Sequence, residues 1–100
     1  MNNKQLTVAA DVLKALAHPV RLGVLQCLEK GEYNVSELTR QIGCSQSMMS
    51  QQLAILEQHQ LVQCHKVGTV KYCSIKNPEF LKMLSCLEQH LENYVKREEF

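Results

Sequence analysis

No apolar run in this sequence reaches the roughly 18 to 20 residues that a membrane helix needs, so no membrane span or membrane partner is expected. Tryptophan is absent, and the rest of the composition, 45% apolar and 21% charged, is that of an ordinary globular chain. An excess of either charge is lacking as well: eleven Lys and Arg face ten Asp and Glu, for a net charge of +1. Bulk charge therefore says nothing for nucleic acid, and any such case must come from local arrangement. Low-complexity tracts, internal repeats and linkers are missing, which at 100 residues leaves a single domain over residues 1–100. The N-terminal MNNKQLTVAADVLKAL has no charged region followed by a long apolar one, so a secretory signal is not expected and the chain reads as cytoplasmic. No Ser/His/Asp spacing, phosphate loop or complete set of metal ligands appears, so neither an enzyme nor a cofactor is expected. Five cysteines cannot all pair within one chain, and in a reducing compartment they begin as free thiols.

What is present is a series of short helical patterns with marked ends. Leu6, Ala9, Leu13, Leu16 and Ala17 recur at helical spacing and predict a first amphipathic helix of about 10 residues. It stops before His18-Pro19, because the residue preceding a proline is pushed out of the helical region. Pro19 suits the first turn of a second helix, where its missing N–H is not needed. That helix turns inward some combination of Val20, Val24, Leu25, Cys27 and Leu28, and Gly31 ends it. Asn34 can cap a third helix, with Glu37 three residues on as in a capping box and Tyr33 placed to pack on Leu38. Val35, Leu38 and Ile42 face inward, and Gly43 closes the helix in the left-handed position. Only Cys44 separates Gly43 from Ser45, a good cap for a fourth helix. Helices joined by so tight a turn cross steeply, as in a helix-turn-helix.

The fourth helix opens with SQSMMSQQLAIL, residues 45–56, and this stretch carries no charge. Met49, Leu53 and Leu56 lie within about 60° of one another on a helix. The opposite face holds Ser47, Ser50, Gln51 and Ala54, with Gln46 at the exposed start. Lysine and glutamate would serve solubility better; uncharged amides and hydroxyls suit a surface that is to be read. After Leu61 the period changes, and LVQCHKVGTVKYCSI forms a hairpin signal around Gly68-Thr69. With a two-residue loop, Cys64 opposes Cys73 on the face shared with Val62 and Ile75, and Lys66 pairs with Lys71 near the tip. Asn77-Pro78 starts a last helix in which Phe80, Leu84, Leu87, Leu91 and Tyr94 alternate steps of four and three. The seam runs for about four turns, more than a small domain's own core covers, and points to dimerisation.

Helix, helix, helix-turn-helix, hairpin, long helix: the expected fold is a mainly α winged helix-turn-helix with a β-hairpin wing. At this point the chain resembles the ArsR/SmtB family of bacterial dimeric repressors, through LKALAHPVRLGVLQCL (13–28), VSELTRQIGCSQSMMSQQLAIL (35–56), LVQCHKVGTVKYCSI (61–75) and the final apolar helix. The resemblance runs from about Leu6 to Tyr94, and its SQSxxSQxL core is most like the HlyU-type and sulfide-responsive branch. It implies a homodimer, joined through its terminal helices, that represses transcription by binding double-stranded DNA at an inverted-repeat operator. A helix fits the major groove, where glutamine can pair with adenine through two hydrogen bonds and serine can serve several bases. Carried over by position, Ser45 and Gln46 open the recognition helix, Ser47, Ser50 and Gln51 form its outward face, and Lys66 and Lys71 grip phosphates from the wing with His65 nearby. The family usually has His where this chain has Gln52 and often Arg where it has Thr69, which bears on operator preference and wing affinity. The rival from another class is a winged-helix module that binds protein, favoured by the absence of Lys and Arg from residues 41–65.

The resemblance also implies a sensing site, by metal or by thiol oxidation. The family's metal positions on the last helix are held here by Asn77, Glu79, His90 and Asn93, and asparagine is a poor ligand for zinc-like ions. The third helix has no cysteine, and Cys86 with His90 at i and i+4 makes only half a site, so no metal site is expected. Relatives in the resembled branch pair a cysteine of the second helix with one of the last, a layout that Cys27 and Cys86 imitate with small offsets. Cys44 stands at the start of the recognition helix, where an adduct would meet DNA phosphates. Cys64 and Cys73 are near enough across the hairpin for oxidation, although filling the core is the expected role of both.

Overall fold

The computed structural model describes residues 1–98, the side chains as far as residue 95. Helix α1 (Asn3–Leu16) is followed by α2 (Pro19–Leu28), strand β1 (Tyr33–Asn34), α3 (Val35–Ile42), α4 (Gln46–Gln58), strands β2 (Val62–Val67) and β3 (Val70–Ile75), and α5 (Glu79–Glu98). Local chemistry accounts for most boundaries. Asn2 and Gln5 form a reciprocal capping box, which starts α1 three residues before the first apolar position of its stripe. His18 is extended, as a residue before proline must be, and its Nδ1 accepts from the Val20 N–H at 3.1 Å to cap α2. Asn34 and Glu37 repeat the capping box at α3, with bonds of 2.8 and 3.1 Å. Gly43 sits at φ 79° and donates to the Thr39 carbonyl, a left-handed end that an L side chain would strain. Two residues later Ser45 Oγ accepts from the Met48 N–H at 3.0 Å, so α4 begins almost at once and the helix-turn-helix is complete.

The sheet has three antiparallel strands in the order β1-β3-β2. The hairpin adopts the expected register, with Val62 opposite Ile75, Cys64 opposite Cys73 and Lys66 opposite Lys71. Gly68 takes φ 63° at the first of the two loop positions, where a side chain would be strained. Strand β1 is new: Tyr33 pairs with Cys73 and Asn34 with Tyr72, so the segment that caps α3 also ties it to the wing. Two residues are too few to display an alternating pattern.

The core draws Val24, Leu25 and Leu28 from α2, Leu38 from α3, and Met49, Leu53 and Leu56 from α4, closed below by Leu61, Val62 and Cys73. Burying each large apolar side chain stabilises the fold by about 1.5–3 kcal/mol, which holds α4 by one face and leaves the other to solvent. Helices α2 and α3 approach so closely that a Cβ on Gly23 would lie 2.8 Å from Ile42 Cδ1. Only the end of α1, Ala15 and Leu16, is fully buried; Leu6 and Leu13 on the same helix are about half exposed. In α5, Phe80 and Leu84 lean on the core, while Leu87, Leu91 and Tyr94 of the same seam do not.

Candidate nucleic-acid interface

Helix α4 divides cleanly. Met49, Gln52, Leu53 and Leu56 are its buried residues, whereas Ser45, Gln46, Ser47, Ser50, Gln51 and Ala54 are exposed. The outward row thus offers neutral donors and acceptors. Ser45 has a second duty as the cap; its oxygen is engaged with Met48, and its O–H remains a donor.

This face belongs to a larger concavity. Gln46 and Ser50 of α4, Asn34 and Ser36 at the start of α3, and Thr69 and Lys71 of the wing line one cleft of about 490 Å³. The first turn of α3 is thereby brought beside α4 and the hairpin loop. Ser36 and Thr69 complete the cleft through this packing; Thr69 had a sign in the sequence, as the wing position where the resembled family often has Arg, whereas Ser36, two residues after the Asn34 cap, had none. The two wing lysines differ in their surroundings. Lys66 is exposed, whereas Lys71 Nζ forms an ion pair with Glu57 Oε1 of α4 at 2.9 Å. Lys71 therefore pins the wing to α4 and brings little net charge to the cleft. His65 stacks on Tyr72 across the hairpin, with ring centroids 5.8 Å apart.

Behind α4 lies a contact that joins it to α1. Arg21 Nε donates to Gln52 Oε1 at 2.7 Å, and its Nη1 donates to the carbonyls of Lys14 and Ala15 at 3.2 and 3.0 Å. Those carbonyls belong to the last turn of α1, where a cation is favoured; that of Lys14 also accepts from the Ala17 N–H at 3.2 Å. Gln52, 7% exposed, also donates to Met48 Sδ. Gln52 is thus turned to the protein interior, and its difference from the family pattern acts on packing behind α4 rather than on the outward row.

The thiols fall differently from the expected layout. Cys27 points its Sγ at Gln41 Oε1 of α3, 3.5 Å away. The groove between α2 and α5 is lined by Leu22, Gly23 and Gln26 on one side and Leu84, Leu87 and Leu91 on the other, with neither cysteine among its walls. Cys86 is exposed and lies about 150° round α5 from that lining face. Cys27 and Cys86 are therefore not brought together within the chain. Cys44 is half-buried against the core. The pair that the fold does unite is Cys64 and Cys73, joined by a disulfide with Cα atoms 4.2 Å apart, so the expectation that both merely fill the core is corrected. Among the described residues no three His, Cys, Asp or Glu side chains cluster as metal ligands would, and no helix is long and apolar enough to cross a membrane.

Apolar surface is open on α1 and α5. Val8 and Leu13 of α1 and Met83, Leu87, Leu91 and Tyr94 of α5 are each more than 40% exposed. Val8, Val12, Leu13, Phe80 and Met83 face one another across a trough of about 450 Å³.

Comparison with known proteins agrees with this geometry. A family model described as a helix-turn-helix domain matches residues 16–65. The chain is 41% identical over 63 residues to the biofilm growth-associated repressor of Xylella fastidiosa, a match covering 63% of this chain and 55% of that protein, little more than half its length. It is 33% identical to the transcriptional activator HlyU of Vibrio cholerae over 86% of this chain and 80% of the other. A solved structure of HlyU from Vibrio cholerae superposes with a TM-score of 0.80 at 32% identity, covering 88% of this chain and 96% of that one. At 24% identity, which speaks for the fold alone, the homodimeric winged helix-turn-helix DNA-binding domain of Mb0332 from Mycobacterium bovis superposes at 0.80 over 97% and 93% of the two chains.

Proposed function

Because the chain belongs to the ArsR/SmtB family of helix-turn-helix transcriptional regulators, we propose that it acts in the cytoplasm as a homodimeric repressor that reads an inverted-repeat operator. The observation that carries this reading is the outward row of α4: Gln46, Ser47, Ser50 and Gln51 present neutral hydrogen-bonding groups beside the wing while the opposite row anchors the helix in the core. Such groups discriminate base edges in the major groove, whereas lysines there would favour any phosphate. Ser36, Thr69 and Lys66 flank the helix where a DNA backbone would pass, and the start of α4 offers its N–H groups to a phosphate.

One α4 reads one half-site. Two-fold pairing through α1 and α5 would present two such helices to successive major grooves, and the open apolar rows on those helices support this arrangement. Release would follow from any change of dimer geometry that moves the helices out of step with the groove. The test is binding of the purified chain to DNA from its own upstream region, measured at two salt concentrations against a half-site and a scrambled duplex. The intact repeat is expected to bind at least about a thousandfold more tightly than scrambled DNA, the lower end of the range of about 10³–10⁷ for specific over non-specific binding. Equal affinity for all three would remove it and favour a winged-helix module that contacts protein, the rival suggested by the lack of Lys and Arg in residues 41–65.

A further inference from the structure

We propose that Cys64 and Cys73 form a thiol–disulfide exchange couple at the base of the wing, with low-molecular-weight disulfides as its substrates and the order of the hairpin as its output. The antiparallel register sets the two residues directly opposite each other, and their Cα atoms are 4.2 Å apart. That is the closer of the two cross-strand spacings, in which side chains on one face lie nearest. Their sulfurs are bonded, while Cys27, Cys44 and Cys86 are free thiols.

The two positions are unequal in a way that suits exchange. Cys73 is on the central strand between Tyr33 of β1 and Cys64 of β2, and it is 0% exposed. Cys64 is on the edge strand and half-buried. A reagent from solution therefore meets Cys64, and Cys73 is held where it can attack little except Cys64. In the first step the Cys64 sulfur, having lost its proton, attacks a small disulfide RSSR; the mixed disulfide Cys64–S–S–R forms and RS⁻ leaves to take up a proton. In the second step the Cys73 sulfur attacks Cys64 Sγ and gives up its proton, RSH is released and the Cys64–Cys73 bond closes. Two cysteine thiols are oxidised and one RSSR becomes two RSH; excess RSH runs the sequence backward.

The bond closes a loop across the hairpin between residues separated by 9 in sequence, with Lys66, Gly68, Thr69 and Lys71 inside it. Cross-linking removes splayed conformations from the open hairpin, so the oxidised wing opens less often. The couple goes beyond the DNA reading, and its test contains no DNA.

The full-length chain is equilibrated without oxygen in mixtures of reduced and oxidised glutathione, quenched in acid, alkylated with N-ethylmaleimide and digested with trypsin. Cleavage after Lys66 and Lys71 separates peptide 41–66 from peptide 72–76 unless a disulfide joins them. Peptide 41–66 also contains Cys44, so a Cys44→Ser variant run in parallel makes the assignment unique. The joined peptides are expected to accumulate as the oxidised fraction rises, with Cys27 and Cys86 still alkylated. In Cys73→Ala, glutathione should stay on Cys64. Amide exchange across residues 62–75 of the wild-type chain should slow by about tenfold or more on oxidation. A wild-type chain that stops at the glutathione adduct, a linkage of Cys27 to Cys86 in place of the wing bond, or equal exchange in both forms would overturn the proposal.

Discussion

Removing either end of the Arg21–Gln52 bond is expected to loosen α4 from α1 without touching the outward row. Arg21 makes three hydrogen bonds, one to Gln52 and two to the last-turn carbonyls of α1. A bond to a charged group contributes about 1.5–3 kcal/mol when water is excluded. Arg21 is only half-buried and its carbonyl partners lie near the surface, so water recovers part of the loss in Arg21→Ala, and about 2–4 kcal/mol is expected in total. Gln52→Met keeps the volume of a 7%-exposed side chain and removes the acceptor for Arg21 Nε, at about 1–2 kcal/mol. The double variant should then lose less than the sum, with a coupling energy of about 1–2 kcal/mol. Urea unfolding of the four proteins at one fixed concentration measures this, since an associating protein's stability depends on concentration. A coupling below about 0.5 kcal/mol would refute the reasoning, because residues that do not interact add within that margin. In DNA binding, Gln52→Met should keep the rank order of operator variants, because its side chain faces inward.

Gln46→Ala and Gln51→Ala should each weaken discrimination at one operator base pair by about 1–3 kcal/mol while changing stability by no more than ~0.5, as measured by titrating single-base operator variants and by urea unfolding. Lys66→Ala should lower affinity evenly on all sequences and reduce the salt slope by about one counterion, visible in anisotropy titrations from low to high salt. Glu57→Gln should do the opposite to the slope by releasing Lys71; the Glu57–Lys71 pair is more than a third exposed and screened, so the same change costs at most about 1 kcal/mol of stability. Leu87→Glu places a charge in the middle of the open α5 row and should give a folded monomer in sedimentation, with an unchanged far-ultraviolet spectrum; a persistent dimer would move the interface elsewhere.

Much of the architecture could be read directly. Pro19 after His18, the Asn34/Glu37 box, Gly43 followed by Ser45, and the two-residue loop at Gly68-Thr69 each set an element boundary with groups no more than four residues apart. The division of α4 into buried and outward rows followed from a single period, and the exposure of Ser47, Ser50 and Gln51 agrees with it. Strand β1 was not legible because a pair of residues carries no period. The first turn of α1 was missed because the Asn2/Gln5 box precedes the apolar stripe, which begins at Leu6. That Cys27 and Cys86 stand on different faces was not legible for a different reason: position along two helices says nothing of how those helices are rotated about their axes.

The chain's own order of residues determined the caps, the breaks, the hairpin register and the neutral face of α4, since all of these arise from neighbours along one strand or helix. Tertiary structure alone decided that Lys71 meets Glu57, that Arg21 reaches Gln52 from 31 residues away, that Ser36 and Thr69 border the cleft, and that Cys27 turns to Gln41. Contacts of that kind depend on the crossing angle and axial rotation of packed elements, which the whole core sets at once and no local spacing encodes.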